Sequence, residues 1–305
     1  MNLATTLLRS MWSQNDKKRD KNCEELDNLT IYRDIPYALS TSDKEQVFHL
    51  TDIYRPSVSK GLLPVIVSVH GGGWFYGDKE LYRFYCMHLA AKGFAVVNFN
   101  YRLAPEHKYP AAITDVVMLM DFLRQHGAQY GIDMGHLFMV GDSAGAQLVS
   151  QYCILASNPK YQALFKQISH EADGISAFPI PKAVGLNCGI YDMKEMKGQK
   201  ISQWYLPKRR EVPLADSFWN ILDYMTKDFP PAYLMLSVND DLKIHTAAMK
   251  AKLEELKIPF RYKEFGEGCP GDGHVFHINL KSQNGLLCNA EECAYFLSFC
   301  HDPES

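Results

Sequence analysis

The residues best suited to chemistry stand together at Gly141-Asp142-Ser143-Ala144-Gly145, between the strand-like run Leu137 to Val140 and the helical Gln147-Leu148-Val149. A GxSxG pentapeptide between strand and helix holds its serine at the tip of a tight turn. Small residues are needed two positions to either side, because a Cβ there would strike the neighbouring strand or helix. Ser143 is then exposed in a strained backbone at the amino end of a helix, whose dipole favours developing negative charge. That geometry suits nucleophilic attack on a carbonyl, with a helix-capping serine as the competing reading. The attacked carbonyl becomes an oxyanion and needs N–H donors. His70-Gly71-Gly72-Gly73-Trp74 follows the apolar run Val65 to Val69, and consecutive glycines leave backbone amides uncovered. Gly71, Gly72 and the amide of Ala144 are the expected donors. A phosphate loop is the alternative, but GxxxxGK[ST] and GxGxxG are both absent.

These turns need a frame. Short β-branched and aromatic runs at Val47 to Tyr54, Val65 to His70, Phe94 to Asn100, Leu137 to Val140, Ala183 to Asn187, Tyr233 to Val238 and Phe260 to Phe265 read as strands. Apolar residues at i, i+3 and i+4 mark helices in Ala111 to Arg124, Ala146 to Ala156, Thr246 to Leu256 and Glu291 to Cys300. The alternation, after an antiparallel-looking start, predicts an α/β fold: a mostly parallel sheet with helices on both faces and catalytic loops at the carboxyl ends of the strands. Residues 1–28 and 192–229 fall outside it. The second holds Trp204, Tyr205, Phe218 and Trp219, and both segments read as cap or lid over a pocket, with packing onto the core as the alternative. Residues 157–182 read as a long connection.

Composition sets limits. A chain of 305 residues, 47% hydrophobic, can bury one large core, so a single domain is expected over 1–305. A net charge of -3 offers nothing to phosphate backbones or anionic lipid, which excludes nucleic acid and membrane as partners. The run Lys17-Lys18-Arg19-Asp20-Lys21 is interrupted and reads as solvated surface. Eight cysteines without CxxC pairs argue against a zinc ribbon or disulfide scaffold and point to reduced thiols in a cytoplasmic protein. Leu3, Leu7, Leu8 and Trp12 have helical spacing, without the basic start, apolar stretch or cleavage site of a secretion signal. No segment approaches the roughly 18 to 20 unbroken apolar residues that span a bilayer.

Three motifs in order, HGGGW at 70–74, YRLAPEHKYPA at 101–111 and GDSAGAQ at 141–147, resemble the hormone-sensitive-lipase-like family of α/β-hydrolase serine esterases, over residues of about 45 to 280. The resemblance implies an eight-stranded sheet, a partly N-terminal helical cap, and no metal or organic cofactor. It also implies that the acid and then the histidine follow the serine in the chain. Asn239-Asp240-Asp241-Leu242 is similar to the family's DPL element, which gives the acid's role to Asp240; Asp241 stands at the family's proline position and stays open as the alternative. His274-Val275-Phe276 matches the HGF element, making His274 the base, reached through a loop with two extra glycines. His277 reads as a structural hydrogen-bonding residue.

Other polar residues read as support. Tyr101, Arg102, Glu106 and His107, joined by Asp142, are expected to brace the oxyanion loop, with His70 as its anchor. Trp74, Phe75, Trp204 and Tyr205 are candidates to line a substrate pocket. Glu24, Glu25, Glu171 and Asp173 lack metal-ligand or glycosidase spacing. The expectation is ester hydrolysis on a small-molecule substrate, with short acyl chains, acetyl or feruloyl esters of carbohydrates included. An amide, formamide or peptide hydrolase on the same residues, and a binding protein without catalysis, are the rivals. Oligomeric state is open, a homodimer included.

Overall fold

The computed structural model describes residues 3–40, 42–208 and 218–300. Eight strands, β1 (Leu29–Pro36), β2 (Leu50–Pro56), β3 (Leu63–Val69), β4 (Ala95–Phe99), β5 (Ile132–Asp142), β6 (Ala183–Asn187), β7 (Ala232–Ser237) and β8 (Phe260–Phe265), form one sheet in the order β1-β2-β4-β3-β5-β6-β7-β8. β2 pairs antiparallel with both β1 and β4, and every other pair is parallel. A sheet covered on both faces buries its inner strands, and β4, β6 and β7 are buried at every position while the edge strands β1 and β8 are not. Along β3, Val65, Val67 and Val69 enter one core cluster while Ile66 enters the other. Their side chains alternate across the sheet with period two.

The helices are α1 (Leu3–Arg19), α2 (Asp43–Gln46), α3 (Lys79–Ala90), α4 (Ala111–His126), α5 (Ala144–Ser157), α6 (Pro159–Phe165), α7 (Lys200–Tyr205), α8 (Lys243–Glu255) and α9 (Gln283–Leu297). α4, α5 and α8 supply buried residues to the Val65 side of the core, α3 and α9 to the Ile66 side. Three starts are capped by side chains: Asp78 accepts the Leu81 amide at 3.0 Å, Asn158 the Lys160 amide at 3.0 Å and Ser282 the Gly285 amide at 3.1 Å. No helix among the described residues is long and apolar enough to cross a membrane.

Several elements differ from expectation. β1 was not foreseen, because this edge strand is largely solvent-facing and lacks a clean apolar alternation. Val47–His49 is a 3-10 turn, so the expected first strand begins at Leu50. α3 was missed, and α9 begins at Gln283 rather than Glu291. Within the expected cap segments lie α1 and α7, while residues 209–217 of the second fall outside the described residues. Because β3, β5, β6, β7 and β8 are parallel, their carboxyl ends open on one edge, and the loops that leave them gather there.

Candidate active site

Ser143 occupies the turn from β5 into α5 at φ 51° and ψ -118°. For a residue with a side chain such a conformation costs on the order of 1–3 kcal/mol and persists only where the surroundings impose it. Here the Ser143 amide donates to the Asn187 carbonyl and its own carbonyl accepts the Ile190 amide, both at 3.1 Å. A Cβ on Gly141 would run into the backbone of Gly145, and one on Gly145 into the carbonyls of Val69 and His70.

The loop after β8 brings His274 to this serine. Its Nε2 lies 3.0 Å from Ser143 Oγ, and its Nδ1 lies 2.8 Å from Asp240 Oδ2. An ionised carboxylate can only accept, so Nδ1 carries the ring proton and Nε2 is left to accept from the serine hydroxyl. Asp240, 3% exposed, also accepts the Leu242 amide at 2.8 Å. Burial on its own would raise the Asp240 pKa, but the hydrogen bond and charge of His274 and the Leu242 amide hold it below the ordinary carboxylate value. Asp241 is exposed, and it is Asp240 that His274 meets. The long glycine-rich loop is held: Asn239 Nδ2 donates to the carbonyls of Gly266 and Cys269 at 3.0 Å each, and Ser237 Oγ donates to the carbonyl of Asp272. His277 is buried behind it against Tyr85, and its Nδ1 has no partner among the described residues, so the expected hydrogen bond is not found at that nitrogen.

The oxyanion loop needs one correction. The Gly71 amide is already engaged, donating to Tyr82 Oη at 3.0 Å, and Tyr82 in turn donates to Asp142 Oδ2 at 2.8 Å. Burial pushes the Asp142 carboxyl up to about 6, opposed chiefly by that Tyr82 hydrogen bond. By contrast, no hydrogen bond among the described residues occupies the amides of Gly72 or Gly73. Gly72 stands at φ 111° where a Cβ would meet the Tyr76 carbonyl, so glycine is required there twice over. Tyr82, on the unforeseen α3, carried no signal in sequence that set it apart from other buried tyrosines.

His70 anchors the loop. Burial lowers its imidazole to about 4, its Nδ1 lies 2.8 Å from the Gly71 carbonyl, and Tyr101 stacks on it at 4.1 Å while donating to its carbonyl at 2.8 Å. The rest of the expected bracing network lies elsewhere. Arg102 pairs with Asp115 and Glu171, and His107 with Glu45. Glu106 pairs with Arg9 of α1.

Ser143 and His274 open onto a cavity of about 550 Å³. Gly72 and Gly73, the apolar Ile190, Leu242 and Val275, and Ile201 of α7 line it, and α1 contributes Trp12, Asn15, Asp16 and Arg19. Arg19 is therefore cavity wall rather than solvated surface. The four aromatics expected here are not among the lining residues. Trp74 is fully buried, donates from its indole to Gln147 Oε1 at 3.0 Å, and stacks on Tyr205 at 4.9 Å. Phe75, also buried, packs between Trp12 and Trp204 at 4.9 and 5.1 Å. Large rings gain most when fully covered, and an indole tolerates the core once its N–H is paired. α1 is fastened by Arg9, which donates to the carbonyls of Phe75 and Ala104 at 2.7 Å each, by Tyr76 donating to Asp16, and by Arg19, which donates to the Leu81 carbonyl at 2.8 Å.

Comparison with known proteins fits this geometry. A family model described as alpha/beta hydrolase fold matches residues 66–278. Esterase LipI of Mycobacterium tuberculosis is 30% identical over 201 residues, 63% of this chain and 61% of that protein. Versiconal hemiacetal acetate esterase of Dothistroma septosporum is 24% identical over 252 residues, 74% of this chain and 70% of that protein. The crystal structure of esterase B from Lactobacillus rhamnosis with a C4-C4 tributyrin phosphonate superposes with a TM-score of 0.86 at 24% identity, covering 97% of this chain and 94% of that one. At that identity the likeness speaks for the fold, and the chain spans only about three fifths of LipI. With the family model covering well over half of the sequence, the chain belongs to the hormone-sensitive-lipase-like family of the α/β-hydrolase fold.

Proposed function

We propose that the protein is a carboxylic ester hydrolase working through an acyl-enzyme on Ser143. One observation carries the reading: the hydrogen-bonded line Asp240-His274-Ser143, with the serine held in a strained turn at the floor of a cavity. Ser143 Oγ attacks the ester carbonyl while His274 Nε2 takes its proton, and buried Asp240 stabilises the imidazolium that results. The amides of Gly72, Gly73 and Ala144 hold the oxyanion, each donor in an oxyanion hole being worth about 10²–10³ in kcat. His274 returns the proton to the leaving alcohol, and water repeats the cycle to release the acid.

The mainly apolar walls and the roughly 550 Å³ volume favour esters with short acyl chains. α1 and α7 act as the cap. The names of the two curated relatives, both esterases and one an acetate esterase, support the reaction class. Eight unpaired cysteines support a reducing compartment such as the cytoplasm. The test is a panel of p-nitrophenyl esters of increasing acyl length, run beside Ser143→Ala. Turnover in the variant is expected to fall about 10⁶-fold, with fluorophosphonate labelling lost in parallel. A variant that keeps full activity sinks the proposal. Turnover of the matched anilides above that of the esters would instead make it an amidase.

A further inference from the structure

Beside the Asp240-His274-Ser143 line lies a thiol that the proposed reaction does not use. Cys188 follows β6, is 1% exposed, and is fixed by its amide donating to the Met235 carbonyl at 2.9 Å. A ligand atom of Cys188, one of Asp240 and one of His274 all lie within 4.8 Å of one another, the one such cluster of three among the described residues. A sulfur, an imidazole nitrogen and a carboxylate oxygen make a donor set for zinc and its neighbours. Magnesium and calcium instead take oxygen ligands.

We propose that Cys188, His274 and Asp240 form an inhibitory binding site for thiophilic divalent cations, zinc foremost. Donors around tetrahedral zinc stand about 3.5 Å apart, given bonds of about 2.0–2.3 Å, so the cluster closes with displacements of about an ångström. His274 can supply them. Its side chain is 35% exposed and faces the cavity, and in its loop Gly268, Gly271 and Gly273 have open space around them. Water takes the fourth position.

The exchange is a proton exchange with no change of oxidation state. The cation bonds to the Cys188 sulfur, whose proton leaves to solvent, to an Asp240 oxygen, and to His274 Nδ1. The proton on Nδ1 moves to Nε2, since a neutral imidazole keeps one N–H. Nε2 then donates to Ser143 Oγ and can no longer accept its proton. Inhibition thus rests on the reading of His274 as base, whereas binding does not.

The test uses the full chain freed of metal by chelation and assayed on p-nitrophenyl acetate. Zinc chloride is expected to stop turnover, EDTA to restore it, and magnesium chloride to do nothing. In Cys188→Ala, with inhibition read against that variant's own zinc-free rate, half-inhibition should require at least about 10-fold more zinc. Cys188→Ser serves if the alanine variant does not fold. Cys269→Ser, which removes the exposed thiol of the His274 loop, should keep wild-type sensitivity. Independently of turnover, cobalt(II) should give a near-ultraviolet thiolate charge-transfer band in the wild type and in Ser143→Ala, and none in Cys188→Ala. Zinc without effect on the wild type, equal sensitivity in the Cys188 variants, or sensitivity that follows Cys269 overturns the site. A fully active Ser143→Ala with the cobalt band still dependent on Cys188 overturns the acyl-enzyme and leaves the metal site standing.

Discussion

Glycine flanks the Ser143-His274 hydrogen bond on both sides, for opposite reasons. On the serine side, Cβ atoms at Gly72, Gly141 and Gly145 would all collide with backbone. On the histidine side, Gly268, Gly271 and Gly273 have nothing within 4 Å of where a Cβ would stand. The nucleophile and its amides are thus fixed by excluded volume, which leaves no alternative position to visit. The base is held by a few hydrogen bonds, donated by Asn239 and Ser237 to its loop and by His274 itself to Asp240, across a loop with room to shift. One half of the site is set by packing and the other by polar ties.

That contrast can be broken in graded steps. Gly145→Ala should be the most damaging, costing at least about 3 kcal/mol because backbone cannot yield as a side chain can, seen as a lowered denaturant midpoint with activity gone. On the other side the polar tie is the weak point: Asp240→Asn should fold normally yet lower kcat about 10⁴-fold, since the imidazole loses its favoured tautomer. An unchanged kcat there would remove Asp240 from the mechanism. Gly72→Ala, whose Cβ would meet the Tyr76 carbonyl at a positive φ, should lower the denaturant midpoint and, by displacing its amide, also lower kcat of the folded protein about 10²–10³-fold, whereas a stability loss with kcat unchanged would mean its amide binds no oxyanion.

The packed side also predicts a pH response. His70 is neutral in the fold down to about 4 because burial lowers it, while an unfolded histidine takes up a proton near 6.5. Between those values the unfolded chain binds more protons. The stability from neutral His70 is therefore complete above about pH 6.5 and declines as pH falls toward 4, by roughly 3 kcal/mol. Urea midpoints across that range should fall on acidification, and more shallowly in His70→Gln. The mildest change is Gly271→Ala or Gly273→Ala, expected to be neutral or to stabilise by about 0.4–1 kcal/mol through the unfolded state, with kcat unchanged. A large loss of activity would show that the open loop needs its freedom to work.

Sequence made the packed half of the site legible and the rest less so. Gly141, Ser143 and Gly145 announce themselves because a turn that tight allows few residue types, and Asp240 and His274 follow from chain order and family resemblance. The Gly71 amide could not be discounted without seeing α3, since it is a tyrosine hydroxyl from another element that occupies it. The misplaced pocket aromatics have a similar cause: rings as large as Trp74 and Tyr205 seek cover, but their type does not say whether ligand or protein supplies it. β1 escaped notice because an edge strand half in water carries little apolar pattern. Cys188 was one cysteine among eight until the sheet order put it beside Asp240.

Trp12, Asn15, Asp16 and Arg19 of α1 wall the cavity, yet the helix is tied down by side-chain bonds to loop carbonyls and lies outside the sheet. A proteolytic nick, an affinity tag or a fused partner close to α1 therefore acts on ligand selection before it acts on folding. Preparations that differ only in how α1 is handled would then rank the same substrates differently while melting alike.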